Sequence, residues 1–397
     1  MIKTIHNLVY ILLLGIFFFN FPEYAFSLNI IPVRIENTPI YLKIGKDVIL
    51  SIIILLSLIR IIRSGKIFKI QVFFLILLFY ITICCFLTQD KNLCISGLRW
   101  IMPLIFVGAI YPYINEFFIQ KITRLLFILL IVQVSTQCIE LFVMPPVQGV
   151  NALGLANRVP GLFYISNTAS VFVIFTYFLI KYFERKQSIR RVGTILSIIS
   201  LLLMMSSTGT FIFIITFFFD KYYHSKFFKL FLLISPIIIY ILFTNLDTLT
   251  GRSAGNTATS GSIRLSILNQ CLNETSLISL SFGEATNTAV NLNLKNAFIA
   301  DSNIISLYHN LGLLGFIPCL FFYIHMTATA WLRKKKDLLI FLMIYLLSSM
   351  PVILFEIFPA NIISSILLAY YIKRETSKIK GTTNKQLVSQ KQKLSLT

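Results

Sequence analysis

The sequence predicts an all-α fold: a polytopic integral membrane protein with about 12 transmembrane helices and one large outer-face loop. Three observations lead there. Hydrophobic residues make up 57% of the 397-residue chain and charged residues only 13%, which is too little polar surface to coat a soluble globule. The apolar residues are gathered into runs separated by short turns. Of the 35 Lys and Arg residues, 26 fall on alternate turns that share one side of the membrane.

Crossing a hydrocarbon core of about 30 Å takes about 20 apolar residues as helix, because backbone amides find no water there and must bond within the segment. Twelve runs meet or approach this demand: Ile5–Phe21, Val48–Ile62, Ile67–Leu87, Leu98–Ile114, Leu125–Met144, Thr168–Ile180, Val192–Met205, Thr210–Phe219, Leu230–Leu246, Ile304–Ile324, Leu338–Phe355 and Ala360–Ile372. The short run ending at Phe219 either tilts or extends through Ser206–Gly209. The first run, preceded by Lys3 and followed by small residues at Ala25–Ser27, also has the outline of a signal peptide. Its apolar core is too long for that, and the charge pattern requires it as a span.

With the N-terminus inside, the inner segments are Met1–Thr4, Arg60–Lys69, Asn115–Arg124, Lys181–Arg191, Asp220–Lys229, Arg333–Asp337 and the tail after Ile372. Both termini then lie in the cytoplasm, and Asn245–Ser302 becomes a large outer loop between the ninth and tenth spans. Residues 1–372 form the membrane domain. Residues 373–397, rich in Lys, Gln, Thr and Ser, read as a disordered cytoplasmic tail. The net charge of +20 sits mainly in short turns that face anionic headgroups, so the expected partner is membrane lipid and not nucleic acid.

Six cysteines are scattered without a CxxC and read mainly as small apolar fillers, although Cys94 and Cys271 both face the oxidising side. Four dispersed histidines give no metal site.

Chemistry is sought on the outer face. Arg158 stands before a Pro-Gly turn where the chain re-enters the membrane, and its guanidinium can fork onto phosphate or anchor among headgroups. The long loop begins with a Gly/Ser/Thr/Asn-rich stretch carrying Arg252 and Arg264. Apolar Ile263, Ile267, Leu268 and Cys271 predict a short surface helix over Ser262–Leu272, with Arg264 near its N-terminal turn, where backbone amides favour an anion. Asp301 and Asn303 stand just before the tenth span; the carboxylate can be a general base, a hydroxyl-binding group or a helix cap. Phe163, Tyr164 and Phe282 can stack on sugars or isoprenoid, or simply mark the interface.

Taken in order, Arg158-Val159-Pro160-Gly161-Leu162-Phe163 before a span, Ser206-Ser207-Thr208-Gly209-Thr210 between spans, and a large loop ending in Asp301-Ser302-Asn303 followed by Leu311-Gly312-Leu313-Leu314-Gly315-Phe316 resemble the O-antigen polymerase and O-antigen ligase superfamily of polytopic membrane proteins. The resemblance covers about Leu98 to Phe322. Members commonly carry an arginine in the Ser-Thr-Gly turn, where this chain has Ser206 and Ser207. Ligases of the superfamily carry a histidine at the end of the large loop, at the position of Asp301 here, so the polymerase branch is preferred. His309, farther along the next helix, is a secondary candidate, although a histidine there is more often packed than catalytic.

The resemblance implies a glycosyltransferase of the bacterial inner membrane that needs no cofactor and no metal. A glycan on polyprenyl pyrophosphate is transferred to the hydroxyl of a lipid-linked repeat unit on the outer face. Its implied partners are the lipid-linked oligosaccharide, membrane lipids, and a chain-length regulator and flippase of the same pathway. The expected catalytic residues are Asp301 and Arg264, with Glu274 and Glu284 as further carboxylates. Arg158, Arg252, Asn303 and His309 are the expected substrate-binding residues. A lipid-linked oligosaccharide flippase is the rival from another class, but its spans would carry midplane charges, whereas here they are nearly charge-free, with Glu140 near one end.

Overall fold

The computed structural model describes residues 1–19, 40–143, 159–163, 166–204, 206–222, 266–267, 269, 271, 276–291, 294, 296–298, 302–350 and 352–376. Among these the chain forms helices and turns and no strand. In order they are α1 (Ile2–Leu14), α2 (Ile16–Phe19), α3 (Ile40–Ser64), α4 (Lys69–Leu87), α5 (Lys91–Ile110) and α6 (Glu116–Val143). Next come α7 (Ser166–Phe183), α8 (Gln187–Met204), α9 (Ser207–Tyr222), the short α10 (Asn287–Asn291), α11 (Asn303–Leu332), α12 (Lys336–Ser349), a single 3-10 turn at Leu354–Glu356, and α13 at residues 360–376. Five of them, α4, α5, α6 as far as Leu141, α8 and α11, are long and apolar enough to cross a membrane. Every hydrophobic run read from the sequence overlaps a helix except Leu230–Leu246, which lies outside the described residues.

Boundaries depart from the runs where polar side chains serve the backbone. α5 begins at Lys91, ahead of the apolar run, because the Asp90 carboxylate accepts the Asn92 amide at 2.8 Å and caps the helix start. α3 begins at Ile40, so Lys43, Lys46 and Asp47 are helical; Asp47 is there paired with Arg99 of α5 at 2.7 Å. The run Leu338–Phe355 is two elements, since α12 ends at Ser349, just before Pro351, whose ring nitrogen carries no proton for a helical bond. α13 continues to residue 376, four residues into the segment read as a tail, and is held there by ion pairs.

α5 and α7 are mostly enclosed by other helices, whereas α4 and α11 turn large apolar side chains such as Phe79, Phe86 and Phe321 outward. Such a surface suits lipid and would be a liability in water. α6, α7 and α8 pack on one another, α9 and α12 close against α7, and α11 joins α4 to α12.

Several of the segments read from the sequence as one side are in contact with one another. His6 reaches the Tyr113 carbonyl at 2.9 Å, Arg60 lies over the Tyr113 ring, and Lys373 donates to the Pro112 and Ile114 carbonyls. Arg185 meets Glu116, Asp220 binds both Lys181 and Lys336, Arg374 forks onto Asp337 at 2.5 and 3.0 Å, and Glu375 pairs with Arg333 and Lys335. Part of the basic charge assigned to lipid headgroups is therefore used inside the protein.

Candidate functional site

Residues 276–291 of the long loop wedge between the end of α4, the start of α5 and the first half of α11. Phe282 is fully buried beside Trp100, with its amide donating to Thr88 Oγ1 at 3.1 Å. The amides of Gly283 and Ala285 both donate to Asn310 Oδ1, at 3.1 and 3.2 Å, while Ser306 Oγ donates to the Ala285 carbonyl at 2.7 Å. Thr286 and Ser96 share a hydroxyl–hydroxyl bond of 2.7 Å with α5. Gly283 has φ +100°, and a Cβ there would lie 2.0 Å from the Leu93 carbonyl oxygen, so only glycine lets the loop sit this close to α5.

The same segment repairs a break in α11. Gly312 has φ +63° and ψ −180°, which releases the backbone groups that an unbroken helix would pair. Leu313 and Leu314 donate instead to the Ser276 and Leu277 carbonyls, at 3.3 and 3.0 Å, and Tyr80 donates its hydroxyl to the Leu311 carbonyl at 2.5 Å. Non-helical backbone at such a place is tolerated only where other protein groups satisfy it.

Inside this wedge His309 is buried between the loop and α11. Its Nε2 lies 3.1 Å from Glu284 Oε2 and 3.3 Å from Ser281 Oγ, its ring meets Phe298 edge-on, and its Nδ1 has no partner. The contact between Nε2 and the Glu284 carboxylate fixes the ring.

Asn303 opens α11 and pins the following turn: its amide donates to the Val352 carbonyl at 3.0 Å and its Oδ1 accepts the Phe355 amide at 3.2 Å. One residue on, Glu356 accepts the amides of Asn287 and Thr288, at 2.8 and 3.0 Å, and the Thr288 hydroxyl at 2.9 Å, tying the turn to α10. Phe355 divides two clefts. On one side an apolar cleft of about 880 Å³ runs between α4, α11 and α12, lined by Phe73, Leu307, Phe316, Phe322, Tyr323 and Tyr345. Asn303 and Ser349 are among its lining residues, and their Nδ2 and Oγ atoms are buried without a hydrogen-bond partner. On the other side a polar cleft of about 390 Å³ is lined by Lys46, Asp47, Arg99, Thr288, Glu356 and Asn361.

A second polar feature lies on α6. Gln133, Gln137 and Glu140, one face of the helix by spacing, hold the backbone of 159–163 immediately after Arg158. Gln133 donates to the Pro160 carbonyl and accepts the Leu162 amide, each at 2.8 Å; Gln137 donates to the Val159 carbonyl at 2.8 Å; and Glu140 accepts the Gly161 amide at 3.1 Å. Ser206, in the Ser-Thr-Gly turn, donates to Asn167 Oδ1 at 3.1 Å and caps Gly209.

Of the residues singled out from sequence, Asp301, Arg264, Arg158, Arg252 and Glu274 lie outside the described residues, and Asn303 and His309 lie within them. His309 is brought against Glu284, whereas Asn303 is engaged with the 352–355 turn. In the predicted surface helix over 262–272, the described Ser266, Ile267, Asn269 and Cys271 are helical, with Cys271 buried and Ser266 and Asn269 exposed. Cys94 is a free thiol. Phe163 and Phe282 are buried in the protein, so neither presents a face for stacking on substrate. Sequence reasoning did not single out Lys46, Arg99, Asp47 or Glu356. The available signals were the Lys46-Asp47 pair abutting the second run and a carboxylate in the gap between the last two runs. Among the described residues no group of three His, Cys, Asp or Glu side chains gathers to hold a metal. No family model matches the chain, and no curated protein matches it.

Proposed function

We propose that the protein is a membrane glycosyltransferase of the polysaccharide polymerase type, with about twelve spans, both termini in the cytoplasm and the 245–302 loop outside the inner membrane. It transfers a glycan from polyprenyl pyrophosphate to the hydroxyl of a lipid-linked repeat unit. The observation that supports this reading is the apolar cleft between α4, α11 and α12, whose lining includes Asn303 at the start of α11 and Ser349 at the end of α12. An isoprenoid chain needs an apolar trough, and the oxygens of its headgroup need polar side chains where the trough meets the interface.

In the transfer, the acceptor hydroxyl oxygen bonds to the anomeric carbon of the donor sugar while the bond from that carbon to the pyrophosphate oxygen breaks. The electron pair leaves with polyprenyl pyrophosphate. Asp301 takes the hydroxyl proton, and Arg264, Arg158 and Arg252 stabilise the charge on the leaving group through forked hydrogen bonds. The clamp on 159–163 is compatible with a role for Arg158, since it orders the segment that follows that residue in sequence.

A ligase that delivers the glycan to lipid A core is the second reading. It is favoured by His309, which reaches the loop at Glu284 and Ser281. Surface polysaccharide from a strain deleted for this chain, run on a gel beside parent and complemented strains, separates the two. Collapse to core plus a single repeat unit, or loss of high-mass polymer, supports the polymerase. Polymer that accumulates on its lipid carrier supports the ligase, and an unchanged ladder refutes both.

A further inference from the structure

We propose that the polar cleft between α3, α5 and the Leu354–Glu356 turn is a saccharide subsite that takes an uncharged sugar ring of the lipid-linked acceptor. The identity of that occupant rests on the polymerase reading; the chemistry of the cleft does not.

The lining is balanced in charge. Lys46 and Arg99 face Asp47 and Glu356, with Arg99 Nε 2.7 Å from Asp47 Oδ2. A phosphate or pyrophosphate entering here meets two carboxylates, and a metal cation meets an ammonium and a guanidinium. A polyol meets neither obstacle, because each sugar hydroxyl both donates and accepts and can join groups that already hold partners: Glu356 holds Asn287 and Thr288, Asn361 holds the Phe355 carbonyl, Arg99 holds Asp47, and the Lys46 ammonium, with three protons, stands among them. Hydrogen bonds to charged partners are the stronger kind, which suits a ligand that must shed tightly held water.

Placement agrees with composition. Glu356 links the cleft to the long loop through Asn287 and Thr288. Phe355 walls both clefts, so an amphiphile with its tail in the apolar cleft has its headgroup one turn away from the polar one. Arg99 lies well inside α5, where an ionisable side chain is costly unless it serves a partner or a cavity; here it does both.

The test uses the full-length protein in lipid nanodiscs and saturation-transfer NMR with methyl glycosides of glucose, galactose and N-acetylglucosamine. At least one glycoside is expected to receive magnetisation from the wild type. Lys46→Ala, which removes a donor, should reduce that transfer by about tenfold, the equivalent of one charge-assisted hydrogen bond, and Met102→Trp, which fills the cleft, should reduce it at least as much. Thermal unfolding of each variant within a few degrees of the wild type certifies the fold, and a variant that fails this check is replaced by Asn361→Ala. No transfer to any glycoside, transfer unchanged in the variants, or transfer displaced by inorganic pyrophosphate would each overturn the assignment. The polymerase reading fails separately: a deletion strain with a normal ladder sinks it. A deletion strain without polymer, complemented fully by both variants at matched membrane levels, sinks the subsite alone.

Discussion

Replacing Gly283 by alanine tests whether the loop is locked against the helices. The new Cβ would lie 2.0 Å from the Leu93 carbonyl oxygen and 2.6 Å from the Gly97 nitrogen, both backbone atoms of α5 that cannot turn away. The segment must retreat, and three hydrogen bonds lengthen with it: Phe282 to Thr88, and Gly283 and Ala285 to Asn310. At about 1 kcal/mol net for each bond, with roughly 1–2 kcal/mol for an L-residue at positive φ, the docked loop loses about 4–5 kcal/mol. Hydrogen exchange read by mass spectrometry should then show the amides of 282–290 exchanging about a thousandfold faster. Gly65→Ala is the control, since Gly65 also has positive φ, at +59°, but its added Cβ meets nothing within 4 Å. That variant should leave the loop amides unchanged. Protection of 282–290 in Gly283→Ala within about tenfold of the wild type would refute the reasoning.

Three further outcomes are expected. Gln133→Leu strands the Pro160 carbonyl and the Leu162 amide in a buried site and should cost about 2–5 kcal/mol, read as a lowered unfolding temperature in detergent; a loss no greater than that of Gln120→Leu would contradict it. Burial pushes the Asp220 carboxyl up, but hydrogen bonds from Lys181, Lys336 and Tyr182 outweigh it and hold the group below the ordinary carboxylate range; Arg374 does the same for Asp337 against its burial. A depressed folded pKa contributes stability in full above the unfolded value of about 3.9 and loses it as pH falls through the folded value, so acid unfolding below about pH 4 should be blunted in an Asp220→Asn, Asp337→Asn double variant. Arg264→Ala and Asp301→Ala should each abolish polymer while leaving the protein in the membrane, and normal chain-length ladders at matched protein levels would refute those assignments.

Helices were legible because the demand for internal backbone bonding writes each one as an apolar run. Asp220 binds both Lys181 and Lys336, three residues that charge alone had grouped. Pairing was not legible. Nothing local says that Asp47 and Arg99, 52 positions apart by their numbers, form an ion pair, or that Glu356 will cap α10. The polar face of α6 had a readable signal in the spacing of Gln133, Gln137 and Glu140, but only Glu140 stood out, because glutamines in an apolar run look like noise until the turn they hold is known. The break at Gly312 was hidden for a related reason. Its left-handed backbone is permitted by glycine but stabilised by Ser276 and Leu277 of the distant loop.

Reconstitution tests the central claim most directly. The purified protein in proteoliposomes, given extracted lipid-linked repeat units and nothing else, should yield a ladder of lipid-linked products and release polyprenyl pyrophosphate in step with each added unit. Repeat units that remain single in the presence of folded protein, with no polyprenyl pyrophosphate released, would contradict it.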